Sequence, residues 1–175
     1  GSSALASLGY ADAAFELDEQ VRGGELPEPA WIVVPLGTGS TVAGLLAGLR
    51  LAGLDSRILA VTATRAPTTW RPVVMRLARA VAHRIARDSG ERDVGQVRLD
   101  GLRIEAGWLG RGFGQESAAG SAAQAMTDDL EDLHLDSVYT AKSMAALIDL
   151  SRAGSLTGPI LFWHTYNAIP LADPD

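Results

Sequence analysis

The chain has 175 residues, 47% apolar content and a net charge of -6, the size and make-up of one globular domain with a sizeable core. Mild acidity without a basic run argues against a nucleic-acid footprint or an anionic membrane surface, and leaves small molecules as the expected partners. There is no cysteine, which excludes disulfides and thiolate metal sites, and His83, His134 and His164 are too scattered for metal-ligand spacing.

No stretch reaches the roughly 18 to 20 uninterrupted apolar residues of a membrane span, and the N-terminus lacks the charged and apolar regions of a signal peptide. A cytoplasmic enzyme or enzyme fragment is expected. Fourteen arginines stand against a single lysine, Lys142, which reads as a compositional bias of the source. The opening Gly-Ser-Ser in place of methionine reads as a fragment, a processed chain or an expression product.

In chain order, apolar residues at helical spacing predict a helix over 4–22, stopped by Gly23-Gly24. Leu26-Pro27-Glu28-Pro29 leads into Trp31 to Leu36, a continuous apolar run that fits a strand buried on both faces. A small, hydroxyl-rich loop follows, Gly37-Thr38-Gly39-Ser40-Thr41, then a helix over 42–52 stopped near Gly53, then a second buried strand over 56–64. Strand, helix, strand in that order predicts a parallel sheet. A long helix is expected over 68–89, opened by Thr68 or Thr69 as a cap with Pro72 in the first turn and a solvated face of Arg71, Arg76, Arg79, Arg84 and Arg87. Residues 91–100 read as a loop, 102–106 as a short strand, 107–114 as a glycine-rich turn and 117–134 as a helix. Residues 135–140 then form a loop or short strand before a helix over 141–152, and 160–164 is the last strand. The chain therefore reads as a single α/β domain with an open, mostly parallel sheet and helices on both faces.

The loop at 37–41 carries the functional signal. Gly37 and Gly39 let the backbone approach an anion, Thr38, Ser40 and Thr41 add hydroxyl donors, and the following helix points its free N–H groups and positive dipole end at the loop. The plain alternative is a glycine-rich strand-to-helix turn with a Ser/Thr cap. Two nucleotide readings fit poorly. No lysine follows the loop as a P-loop requires, and Val42 stands where a dinucleotide fold needs its third glycine, with Gly44 two residues late.

Ligands of open parallel sheets bind outside the carboxyl ends of the strands, where segments 37–41, 110–114, 139–142 and 164–167 should emerge. Tyr139 and Thr140 would present hydroxyls there, and His164, Thr165 and Tyr166 would line the rim. The alternatives remain open: Thr140 as the N-cap of the next helix, and His164 as a hydrogen-bonded core histidine.

Gly-Thr-Gly-Ser-Thr-x-Ala-Gly at 37–44, Gly-x-Gly-Phe-Gly at 110–114, Leu-Asp-x-Val-Tyr-Thr-x-Lys-x-Met at 135–144 and Leu-Phe-Trp-His-Thr at 161–165 occur in this order. Together they resemble the C-terminal half of the D-cysteine desulfhydrase and 1-aminocyclopropane-1-carboxylate deaminase family. The opening helix, with Leu8-Gly9-Tyr10 and Glu16-Leu17, is similar too. The resemblance implies a pyridoxal-phosphate enzyme of the tryptophan synthase beta-like fold. Gly37, Thr38, Gly39, Ser40 and Thr41 would then hold the cofactor phosphate, Thr140 would face the pyridine nitrogen, and Tyr139 would lie by the ring as a candidate catalytic residue. Threonine rather than glutamate at 140 points to the desulfhydrase side: beta-elimination from a small amino acid to give sulfide, pyruvate and ammonia.

Two departures touch the substrate pocket: Phe113 stands where the family carries a tyrosine, and Tyr166-Asn167 replaces a glycine pair. By the same resemblance the chain is the C-terminal portion of the large cofactor-binding domain of a homodimer. The Schiff-base lysine and the small domain would lie in an upstream segment outside this sequence. Lys142, at the start of a helix, is expected to be a surface or structural ammonium, so the chain alone is expected to be inactive. The competing expectations are a non-catalytic phosphate-binding module and a nucleotide-binding α/β domain.

Overall fold

The computed structural model describes residues 3–64, 67–90 and 100–165. The loop expected at 91–100 falls outside them up to residue 99, as do Tyr166 and Asn167. In chain order the elements are α1 (Ala4–Arg22), β1 (Trp31–Leu36), α2 (Ser40–Ala52), β2 (Arg57–Thr62), α3 (Pro67–Ser89), β3 (Leu102–Glu105), α4 (Ala118–Glu131), α5 (Thr140–Arg152) and β4 (Ile160–Phe162). The four strands form one sheet in the order β3-β2-β1-β4, and every pairing is parallel.

All six residues of β1 are buried, as a strand covered on both faces must be. Pro35 is the apparent obstacle, because a central strand ordinarily needs every N–H. The carbonyls of Ala30 and Leu36 accept from Arg57 and Ala63 on the β2 side, whereas that of Val33 accepts from Trp163 on the β4 side. The missing donor of Pro35, two residues beyond Val33, therefore faces the β4 side past Phe162, where that ladder has ended.

Alternation along the strands divides the core. Ile32, Val34 and Leu36 join Ile58 and Ala60 beneath α1, α2 and α3, while Trp31 and Val33 join Leu59, Val61 and Ala146 of α5 on the opposite face. The expected helices on both faces are present, with α4 packed on α5. Ile32, Val33, Val34 and Leu36 are wholly buried, and burial of such side chains contributes about 1.5–3 kcal/mol each. On the first face α1 and α2 approach at Gly44 and Gly48. A Cβ on Gly48 would stand 2.6 Å from the Ala11 carbonyl oxygen, and one on Gly44 would run into the Ser7 carbonyl. Gly44 therefore serves helix packing, which accounts for its failure to fit a dinucleotide fingerprint.

Helix α1 matches its expected bounds, with Ser3 Oγ accepting from the Ala6 N–H at 3.1 Å. Other boundaries moved. Helix α2 begins at Ser40, two residues before the sequence suggests, so Ser40 and Thr41 belong to its first turn rather than to a loop. Helix α5 takes in Thr140, and α4 stops at Glu131 because Asp132 turns left-handed at φ 51°. The strands close at Thr62, Glu105 and Phe162, earlier than expected. Helix α3 starts at Pro67, which puts Thr68 and Thr69 inside it and Pro72 in its second turn. Its five arginines are exposed as expected. Among the described residues no helix is long and apolar enough to cross a membrane, and no His, Cys, Asp and Glu side chains group as metal ligands.

Candidate functional site

Strand β1 delivers Gly37 to the carboxyl edge of the sheet, where α2 begins. Gly39 caps that helix at φ 91°, a left-handed conformation that favours glycine, and a Cβ there would also press Val74 Cγ2 at 3.2 Å. The N-cap residue, Gly39, offers the helix no side-chain oxygen, so the first N–H groups and the positive end of the dipole lack the usual cap. Ser40 Oγ is buried and has no hydrogen-bond partner among the described residues. Leaving such a hydroxyl unsatisfied costs about 1–3 kcal/mol. An anion at this helix start would supply the missing acceptor, and these residues fit a phosphate group. Thr38 is exposed and Thr41 half-buried on the same turn.

Tyr139 forms the wall of this cradle. Its ring lies so close to Gly37 that a Cβ there would be 3.1 Å from Cε1, which is why a glycine stands at this point. What holds Tyr139 is Asp136, a residue the sequence reading passed over. Its carboxylate accepts from the backbone N–H groups of Val138, Tyr139 and Thr140 at 3.0, 2.7 and 2.9 Å. It also accepts from the Thr140 hydroxyl at 2.6 Å. Burial works to raise the Asp136 carboxyl, but the Thr140 hydroxyl and these N–H groups outweigh it and hold the group below its ordinary value. The bond from the Val138 N–H, two residues on, makes an Asx-turn, which Asp favours as a local signal.

Thr140 is accordingly not the N-cap. It is the first helical residue, only 1% exposed, and its hydroxyl donates to Asp136 Oδ2 while accepting from the Asp136 N–H at 2.8 Å. Phe113, from the glycine-rich turn, stands edge-on to Tyr139 with ring centroids 6.0 Å apart, and it is 57% exposed. The structure thus brings together the 37–41 turn, Phe113, Tyr139 and the Asp136–Thr140 pair. Lys142 is buried, which corrects the expectation of a surface ammonium. Burial pushes its ammonium below the usual lysine value, against the pull of Asp136.

The C-terminal candidates follow β4. Trp163 still pairs with β1, but His164 and Thr165 are exposed, and Tyr166 lies outside the described residues. His164 Nε2 donates to the His134 carbonyl at 3.2 Å. Its ring lines a separate cavity of about 400 Å³ between α1 and β4, with Glu16, Leu17, Leu26 and Trp163. An exposed ring is not the core histidine that was the plain alternative for this position.

A family model described as pyridoxal-phosphate dependent enzyme matches residues 1–165. D-cysteine desulfhydrase of Klebsiella pneumoniae (strain 342) is 34% identical over 170 residues, covering 96% of this chain and 48% of that protein. The D-cysteine desulfhydrase of Salmonella schwarzengrund (strain CVM19633) is 34% identical with the same coverage. A crystal structure of an ACC deaminase homologue superposes with a TM-score of 0.74 at 26% identity, over 93% of this chain and 46% of that one. The chain thus spans about half the length of the curated relatives it matches.

Proposed function

We propose that this chain, which belongs to the pyridoxal-phosphate dependent enzyme family, holds the phosphate of that cofactor at 37–41 and lines the adjoining rim in a D-cysteine desulfhydrase-like lyase. The observation that carries the reading is the buried, unpartnered hydroxyl of Ser40 at the uncapped start of α2. The similarity to D-cysteine desulfhydrases supports the choice of lyase.

Gly37 and Gly39 admit the phosphate to the backbone, Ser40 donates to it, and the α2 dipole favours its charge. Thr38 and Thr41 flank it with further hydroxyls. When bound, pyridoxal phosphate supplies an electron sink for the carbon that loses its α proton. Tyr139, fixed by Asp136, places a phenol oxygen beside the cradle for orienting substrate or moving a proton. Phe113 offers an apolar edge at the same mouth and keeps water from it. Thr140, the position that the resemblance assigns to the pyridine nitrogen, has its hydroxyl engaged with Asp136 as both donor and acceptor, so its part here is to fix the Tyr139 turn. Lys142 is not the lysine that carries the cofactor in this reading. A small amino acid as substrate, a homodimer, a cytoplasmic location and a place in the large domain complete the proposal.

The test is a titration of the chain with pyridoxal phosphate, inorganic phosphate and a nucleotide, followed by thermal unfolding. Pyridoxal phosphate should raise Tm, inorganic phosphate should compete with it, and no visible lysine-adduct band should form. At a hundred times Kd the stabilisation would be about 2.7 kcal/mol. Tighter binding of the nucleotide, or no effect of pyridoxal phosphate, would overturn the reading.

A further inference from the structure

Lys142 is the one buried charged side chain among the described residues. It is 1% exposed, it lies in the first turn of α5, where the helix dipole disfavours a cation, and no carboxylate among the described residues pairs with it within salt-bridge distance. Its ammonium instead donates to two backbone carbonyls, Leu109 O at 3.0 Å and Gly112 O at 3.3 Å. Both belong to the glycine-rich turn that carries Phe113. At its start the turn is also tied to α5 by Trp108, whose Nε1–H donates to Asp149 Oδ2 at 2.8 Å. From Leu109 onward, however, Gly110, Gly112 and Gly114 all have positive φ, and the backbone bonds are Leu109 N–H to Ala106 O and a long Gln115 N–H to Gly112 O at 3.4 Å.

We infer that Lys142 is a positioning residue: its buried ammonium latches the 107–114 turn by two carbonyls and thereby stands Phe113 against Tyr139 at the mouth of the phosphate cradle. The chain of contact is continuous. Lys142 holds Gly112, the neighbouring Phe113 meets Tyr139 edge-on, and Tyr139 lies on Gly37. A charged donor suits this task, because hydrogen bonds from an ammonium are about twice as strong as neutral ones. A lysine stem also reaches from the helix to the turn without exposing a polar atom on the way. The latch sets the shape of the rim, and so the size of substrate admitted. This last step rests on the proposed function above, whereas the latch itself does not.

Because Lys142 is the only lysine in the chain, an isotopic nitrogen label on lysine side chains reports on it alone. In the wild-type chain its ammonium hydrogens should exchange with water at least about tenfold more slowly than those of free lysine, as a buried hydrogen-bonded donor requires. Exchange at the free rate would overturn the latch. In Lys142→Met, trypsin should cut after Arg111 about tenfold faster than in wild type, the change expected from losing a charge-assisted hydrogen bond. Cutting after Arg22 should not change, and the nuclear Overhauser contact between the Phe113 and Tyr139 rings should disappear. Unchanged cutting after Arg111 with the ring contact kept would refute the proposal. Should Lys142→Met fail to fold, the ammonium exchange in wild type still decides.

The ligand arm separates the two readings. Pyridoxal phosphate should bind Lys142→Met about tenfold more weakly than wild type, by the same reasoning, and equal affinity would show that the latch does not serve the site. If the wild-type chain binds no pyridoxal phosphate, the proposed function fails, while ammonium exchange and Arg111 cutting still judge the latch.

Discussion

The ring of Tyr139 rests on Gly37: a methyl group added to the glycine would stand 3.1 Å from Cε1 and 3.7 Å from the phenol oxygen. The first of these is tighter than ordinary van der Waals contact, so Gly37→Ala must displace the ring by a few tenths of an ångström. Such overpacking costs about 1 kcal/mol at this mild level. In a Tyr139→Ala background the added methyl has room, and its cost should vanish. Denaturant unfolding of the two single variants and the double variant should therefore give a coupling of about 0.5–1 kcal/mol. Additive effects would mean that Tyr139 does not pack on the cradle.

Ser40 gives the reverse pattern, in which stability and binding move in opposite directions. Its buried oxygen lacks a partner, so Ser40→Ala removes an unsatisfied group and should leave the ligand-free chain as stable as wild type or up to about 1 kcal/mol more stable. The same change removes a donor to the phosphate and should weaken pyridoxal phosphate binding about tenfold, as for other hydrogen bonds to a charged group. Thermal unfolding with and without pyridoxal phosphate checks both parts. Loss of ligand-free stability would show that Ser40 Oγ has a structural partner, and undiminished binding would remove it from the cradle.

The contact of α1 with α2 is intolerant of volume. A Cβ on Gly48 would approach the Ala11 carbonyl oxygen and the Ala14 Cβ at 2.6 and 2.7 Å, both helix atoms that cannot swing aside. Gly48→Ala would ordinarily gain helix propensity of about 1 kcal/mol. Here overpacking should exceed that gain and leave the chain about 1–3 kcal/mol less stable. A stabilised Gly48→Ala chain in urea unfolding would contradict this packing.

How far the sequence carried differs by element. The apolar run at 31–36 and the helix ending at Gly23 were legible because burial on both faces and a glycine stop leave local traces, and the parallel sheet followed from their order. The start of α2 was misread because Ser40 and Thr41 have the composition of a loop, and only the left-handed turn at Gly39 reveals that the helix has already begun. The burial of Lys142 was not legible. A lone lysine beside a helix start looks solvated until the 107–114 turn, some thirty residues earlier, closes over it. The surroundings of His164 were not legible either: strand order locates its backbone at the carboxyl end of the sheet, but not the His134 carbonyl that its ring meets or the Phe162 ring 6.2 Å away. Asp136 could have been found, since Asp ahead of a helix start is a local signal, but its hold on Tyr139 depends on a backbone turn that composition does not display.

That hold makes the start of α5 acid-sensitive in a definite direction. The Asp136 carboxyl lies below its ordinary value because the Thr140 hydroxyl and three N–H groups outweigh the effect of burial. A group with a depressed folded-state pKa contributes stability that is fully present above its unfolded value, about 3.9 for aspartate. That contribution is lost as pH falls through the lower folded value. Asp136→Asn should therefore cost about 1–3 kcal/mol at neutral pH, the range for hydrogen bonds to a charged group. The deficit should stay constant down to the ordinary aspartate value and close at more acid pH. Thr140→Val removes the hydroxyl donor and should bring the Asp136 titration, followed by carboxyl NMR shifts, back toward the ordinary value. A deficit that widens on acidification, or an Asp136 titration that Thr140→Val leaves in place, would show that this carboxylate does not organise the Tyr139 wall.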